Sequence, residues 1–380
     1  MGNYYNYNKR KSKVGLVIKI LILLLIVFFV FACYYIEPIK SNKHIMNAKT
    51  KISEVVTKVT NSTKDSFSIL VESYEPDEKD NAVYEITDSQ NRYYYNQLDE
   101  GSKIIYAEIL GNLDKIKRGE DNIKISSKLS EYVAVDDISD ELMKSFQNAW
   151  DAFRNDNVEL FYIDGTKMCL VTKTIKKGSK TSYEFYISRG NNANYLIDGF
   201  SSANEVDKAV AYAEQAENEI INSITEQNEY YKIMKAHNWI VENVEYNMEE
   251  SYNNANLYGA LKDRKVVCEG YARLFKSLMD KMDIPCVLVS GVGIDPDTGK
   301  RENHAWNYVY LKGKWYAVDT TWDDPVIIGN GYISKDIQYK FFLKGAKEFN
   351  KTHISEGKLV ENGMEFKYPE LSEEDYVKEN

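Results

Sequence analysis

The stretch that decides the fold runs from residue 265 to residue 325. It opens with Lys265-Val266-Val267-Cys268-Glu269-Gly270-Tyr271-Ala272 and passes through Asn303-His304-Ala305-Trp306-Asn307-Tyr308-Val309-Tyr310. It closes with Trp315-Tyr316-Ala317-Val318-Asp319 and Thr320-Thr321-Trp322-Asp323-Asp324-Pro325. Leu274, Phe275, Leu278, Met279 and Met282 recur at helical spacing, so Cys268 stands at the start of a helix. There the free N–H groups and the helix dipole favour a thiolate, the nucleophilic form of cysteine. Gly270 beside it implies close approach of a backbone or a substrate.

Pro285 to Gly291 reads as a buried strand, Ile294 to Asn303 as a polar loop, and Asn303 to Tyr310 as a second strand. Lys312-Gly313-Lys314 makes a tight turn into a third strand, antiparallel to the second. His304 and Asp319 then face each other near the open end of that hairpin. A histidine oriented by a carboxylate, with a helix-tip thiol nearby, is a nucleophile–base–orienter set.

These motifs, with Leu257-Tyr258-Gly259-Ala260-Leu261 before them and a looser Phe341-Phe342-Leu343 after them, resemble the transglutaminase-like superfamily. The resemblance extends from about Tyr230 to His353. It implies a papain-like α+β core, a helix bearing the cysteine packed on an antiparallel sheet. It also implies Cys268 as nucleophile, His304 as general base and acid, and Asp319 as orienter.

Other residues carry weaker readings. Trp322 is a core residue or a cleft wall, and Tyr258 is an oxyanion candidate beside the Cys268 backbone N–H. Cys169 and Cys286 sit inside strands and read as small buried hydrophobes. His237 lies on a helix, as packing or surface, and His353 reads as peripheral. No metal site is expected, since no Cys-x-x-Cys or close histidine pair occurs. Asp295-Pro296-Asp297-Thr298-Gly299 begins like a calcium loop, but Lys300 and Trp306 fall where glycine and glutamate are required. No cofactor is expected.

Outward from this core, the 380 residues suit two or three domains. Apolar residues at 43% and charged residues at 28% are ordinary for a globular chain. Four cysteines exclude a disulfide scaffold, and a net charge of −10 without a basic face excludes a nucleic-acid footprint. The charge is uneven: Lys9, Arg10, Lys11, Lys13 and Lys19 precede Glu37, with no acidic residue among them. Ile20 to Ile36 is uncharged and apolar, and with Val14 to Ile18 it reaches membrane-spanning length. The basic tip predicts a cytoplasmic N-terminus and an extracytoplasmic remainder. A cleaved signal fits less well, because the apolar run is long and no Ala-x-Ala follows. A lipoprotein signal ending at Cys33 is disfavoured by bulky Phe31, though processing there stays open.

The expected division is a tip over 1–13, a membrane helix over 14–36, a stalk over 37–64 and a small α+β domain over 65–200. A connecting helix over 201–228, a catalytic domain over 229–360 and a tail over 361–380 follow. Within 65–200, helices are expected from Leu98 to Gly119 and from Ser139, with a strand over Glu159 to Ile163 and a hairpin about Lys177-Gly178-Ser179. Asn204 is expected to cap the connecting helix.

The reading that follows is a bacterial, membrane-anchored envelope enzyme. Its substrate is a protein or peptide, and its chemistry is at amide bonds, hydrolysis being favoured over cross-linking. The alternative is a non-catalytic envelope scaffold that uses the same domain for binding.

Overall fold

The computed structural model describes residues 81–88, 92–132, 138–296, 298–324, 338–361 and 363–378. The expected tip, membrane helix and stalk, Cys33 included, lie outside the described residues, as do the first residues of the expected 65–200 domain. Among the described residues no helix is long and apolar enough to cross a membrane.

The chain divides into two compact units. One holds residues 82–170 and 184–380; in the other the described residues are 81 and 171–183, which include the outer part of a β-hairpin. The Tyr94 hydroxyl donates to the Leu288 carbonyl, and Arg273 Nη1 donates to the Arg154 carbonyl at 2.8 Å, so the earlier residues are bonded into the site-bearing core.

The first unit begins with α1 (Glu100–Gly111) and α2 (Leu113–Lys117). The sequence pattern reads as one helix, but the helix breaks at Asn112, whose side chain bonds the Glu108 carbonyl. Strand β1 (Ile123–Ile125) and helix α3 (Ile138–Asp156) follow. The expected strand over 159–163 is absent: only Ile163 makes an isolated bridge, to Leu196. The hairpin forms as β2 (Cys169–Lys177) and β3 (Lys180–Ser188), and β1 pairs antiparallel with β3, Ile123 opposite Ile187.

Helix α4 (Ala203–Ser223) is capped by Ser202, not Asn204. The Ser202 side chain accepts from Glu205 N, and Glu205 Oε2 accepts from Ser201 N at 2.7 Å, a reciprocal cap. Helix α5 (Glu229–Asn243) comes next, then β4 (Glu245–Tyr246), α6 (Leu257–Lys262) and β5 (Lys265–Val266). Strands β4 and β5 pair in parallel, Tyr246 opposite Val266.

The core of the site is helix α7 (Cys268–Lys281) against a four-stranded antiparallel sheet. Its strands are β6 (Cys286–Ile294), β7 (Arg301–Leu311), β8 (Lys314–Val318) and, after the short helix α8 (Ala346–Phe349), β9 (His353–Ser355). The order is β8-β7-β6-β9. A two-residue turn joins β7 to β8, with Lys312 at φ 52° and Gly313 at φ 86°, the conformation that matches strand twist. Ala272 on the helix and Ala305 on the sheet are small enough to let the two approach, and with Leu288 they form one buried cluster with Cys268 packed against it. Asn307, fully buried, donates to the Ala272 carbonyl at 3.0 Å and pins β7 to α7.

Candidate active site

Cys268 is the first residue of α7, so its backbone N–H has no acceptor inside the helix. Its side chain is half-buried and free of disulfide. Gly270 in the same turn has no room for a Cβ: one would stand 2.5 Å from Val266 Cβ. The close neighbour is thus a side chain of β5, not a backbone or a substrate.

His304 on β7 lies opposite Gly291 of β6. Its Nε2 is 2.7 Å from Asp319 Oδ2, and both groups are buried. Burial alone would lower the imidazole pKa. The Asp319 carboxylate and a hydrogen bond with Cys268 outweigh it, and the pKa rises to about 10. Since Nε2 is taken by Asp319, Nδ1 is the nitrogen left for Cys268. Burial works against the Asp319 anion, but His304 and His353 hold its pKa well below the usual carboxylate range.

Asp319 follows β8 directly and is satisfied on both oxygens. Oδ1 accepts from Thr321 N at 3.0 Å and Trp322 N at 3.2 Å; Oδ2 accepts from His304 and from His353 Nε2 at 3.0 Å. His353 therefore sits at the centre of the site and not at its periphery. Its position late in the chain hid this, because β9 returns to pair with β6 and sets His353 opposite Gly293.

Trp322 stacks on His304, centroids 5.0 Å apart at 29°. Gly293 makes the space: a Cβ there would lie 2.8 Å from Trp322 Cζ2 and 3.3 Å from His304 Cβ. Tyr258 is placed elsewhere. Its ring stacks on Phe161 at 5.2 Å and meets Phe200, Tyr212 and the Lys262 ammonium. The half-exposed tyrosine electrostatically coupled to Cys268 is Tyr246 of β4; burial raises its phenol pKa, and Cys268, Glu302 and Asp319 add to the rise. Only the hydrogen-bonded pairing of β4 with β5, two residues before the cysteine, brings it there.

The remaining motif residues act as braces. Asp323 accepts from buried His237 Nε2 at 2.9 Å and from Phe341 N at 2.8 Å, and burial raises its pKa to about 6. Asp324 accepts from the Tyr271 hydroxyl at 2.5 Å. Glu269 bridges Arg273 at 2.8 Å and Arg154 at 3.1 Å.

His304, Asp319 and His353 offer ligand atoms within 4.8 Å of one another, a donor set that also suits a divalent cation. Their N–O separations of 2.7 and 3.0 Å are hydrogen-bond lengths. Donors about 2.0–2.1 Å from a tetrahedral zinc would stand roughly 3.3 Å apart. The arrangement fits N–H donors on one carboxylate better than ligands on an ion.

Residues 218–320, which contain Cys268, His304 and Asp319, match the model of the transglutaminase-like superfamily. This segment is similar to that superfamily. The chain is 33% identical over 99 residues to kyphoscoliosis peptidase of Mus musculus and 32% identical to that of Homo sapiens. Each match covers 23% of this chain and 15% of the relative's length. Among solved structures, one titled as a TGase overlaps 46% of this chain and 50% of its own, at 17% identity and a TM-score of 0.29. A putative cysteine protease from Cytophaga hutchinsonii overlaps 40% of this chain and 64% of its own, at 16% identity and a TM-score of 0.26.

Proposed function

We propose that the protein is a cysteine enzyme acting on amide or peptide bonds through Cys268, His304 and Asp319. The observation that supports this most is the contact chain itself: Asp319 to His304 at 2.7 Å, and His304 to the helix-tip Cys268. His304 is placed to take the Cys268 thiol proton as the sulfur attacks. The sulfur attacks the carbonyl carbon, a C–S bond forms, and the carbonyl electron pair moves to oxygen, where the Cys268 N–H is the candidate donor. The intermediate collapses, the C–N bond breaks, and the leaving amine takes the proton from His304. In hydrolysis, His304 then takes a proton from water, the hydroxide attacks the thioester, and the C–S bond breaks. In transamidation a primary amine replaces the water. The peptidase name of the curated relatives supports the hydrolytic course.

We also propose that the enzyme is anchored by residues 14–36 in a bacterial membrane, with an extracytoplasmic domain acting on an envelope protein or peptide. This rests on the apolar run and the basic tip alone.

A peptide library incubated with the protein, with and without a primary amine, tests the chemistry. Cleavage of an amide is expected, with Cys268→Ala inactive. His304→Ala should lose about 10⁴–10⁶ in rate, and the double variant should match Cys268→Ala, because such residues act as a unit. Most activity retained in folded His304→Ala would refute the mechanism, and thiol-independent binding without turnover would favour a scaffold.

A further inference from the structure

We infer that His353 is a positioning residue, which fixes the Asp319 carboxylate toward His304 by donating Nε2–H to the oxygen that His304 itself uses. The inference rests on the cysteine-enzyme reading above. The matched family segment ends at residue 320 and does not reach His353.

The geometry is specific. Two imidazoles converge on Asp319 Oδ2, at 2.7 and 3.0 Å, while Oδ1 is held by two backbone N–H groups. An ionised carboxylate only accepts, so each imidazole directs an N–H at it. The other nitrogen of His353, Nδ1, stands 2.9 Å from Thr352 Oγ1, a hydroxyl that serves either tautomer, so the acceptor-only carboxylate is what puts the proton on Nε2. The ring cannot swing: it stacks on Phe349 with centroids 3.9 Å apart at 15°, and it meets Trp306, Trp322 and Phe341 on other sides. Burial lowers its pKa, with His304 opposing its charge too, so it stays neutral beside a charged His304. A neutral donor holds the carboxylate without competing for its charge. The other ionisable groups near this cluster are Cys268, Tyr246, Glu302 and Asp323, all electrostatically coupled to Asp319, His304 or each other.

A packing role and a positioning role separate by substitution. His353→Phe keeps an aromatic ring and removes the donor. His353→Gln removes the ring and keeps an N–H within reach of Asp319. The readout is the pH profile of Cys268 alkylation by iodoacetamide in the full chain, which needs no substrate. The wild type should show a limb near pH 10 that His304→Gln abolishes. His353→Phe should move that limb down by about one unit or more, one unit being about 1.36 kcal/mol. His353→Gln should restore it even at a lower Tm. A His304-dependent limb unmoved in folded His353→Phe would overturn the inference, as would a shifted limb in His353→Gln if His353→Phe does not fold. Absence of any His304-dependent limb in the wild type would instead refute the cysteine-enzyme reading.

Discussion

At the scale of single residues, the site is governed by one carboxylate that never protonates in the neutral range. Asp319 raises the pKa of His304 to about 10 against the opposing effect of burial. The sign of the linkage follows. The unfolded imidazole titrates near 6.5, so the folded state binds its proton more tightly. That contribution to stability is complete below about pH 6.5 and is lost as the pH rises through 10. Denaturant melts of the wild type and His304→Gln should therefore differ most near pH 6 and converge above pH 10. A gap that widens with pH would contradict the assigned charge. The members of this cluster are legible unequally in the sequence. Cys268, His304 and Asp319 stand out because each sits in a local motif, at a helix start, on a strand and at a strand end. His353 does not, since nothing within a few residues of it marks it out, and only the return of a distant strand gives it a partner.

At the scale of elements, the site depends on how closely α7, β6 and β7 approach. Elements with strong periodicity are readable in kind: α7, β6, β7, β8 and the 312–313 turn all form. But β6 runs on to Ile294 and β7 starts at Arg301, so the polar loop expected over 294–303 is paired strand at its ends and only 295–300 connects them. The expected strand at 159–163 failed because its apolar residues, Leu160, Phe161 and Ile163, have no neighbouring strand beyond one bridge. The long helix failed at Asn112, where a side-chain bond to the backbone competes with helix continuation. Glycines in strands read as weak strand formers, yet Gly293 has a steric purpose visible only with Trp322 and His304 beside it. Gly293→Ala should push Trp322 off His304 and cost about 1–3 kcal/mol, as overpacking does. A Tm drop with altered tryptophan fluorescence is expected, and an unchanged melt and spectrum would count against this packing. Asn307→Leu removes the bond from β7 to the Ala272 carbonyl. The Ala272 carbonyl keeps its helical partner, the Lys276 N–H, so the cost is that of one lost hydrogen bond, about 0.5–1.5 kcal/mol. The alkylation rate of Cys268 should fall along with the stability.

At the scale of the whole molecule, the catalytic reading and the anchoring reading rest on separate stretches of chain and can fail separately. The site is carried by side chains between Cys268 and His353. The proposed anchor rests on a run from Ile20 to Ile36 with no charged residue, preceded by Lys9, Arg10, Lys11, Lys13 and Lys19. A helix of about 20 apolar residues spans a bilayer core, and flanking lysines and arginines stay on the cytoplasmic side. Lys19 interrupts the apolar length near that side, where its long stem can reach the headgroups. On the proposed anchoring, Tyr34 and Tyr35 would meet the opposite interface, where aromatic rings are favoured. In the anchoring we propose, every residue after about 40 would lie outside the membrane. Protease added to intact cells should degrade that region while a short tip remains protected, and carbonate washing should leave the full-length protein with the membrane. Complete protection of the region after residue 40 would reverse the orientation. A mature soluble protein starting near residue 34 would replace the anchor with processing, and in neither case would the Cys268, His304 and Asp319 chemistry be touched.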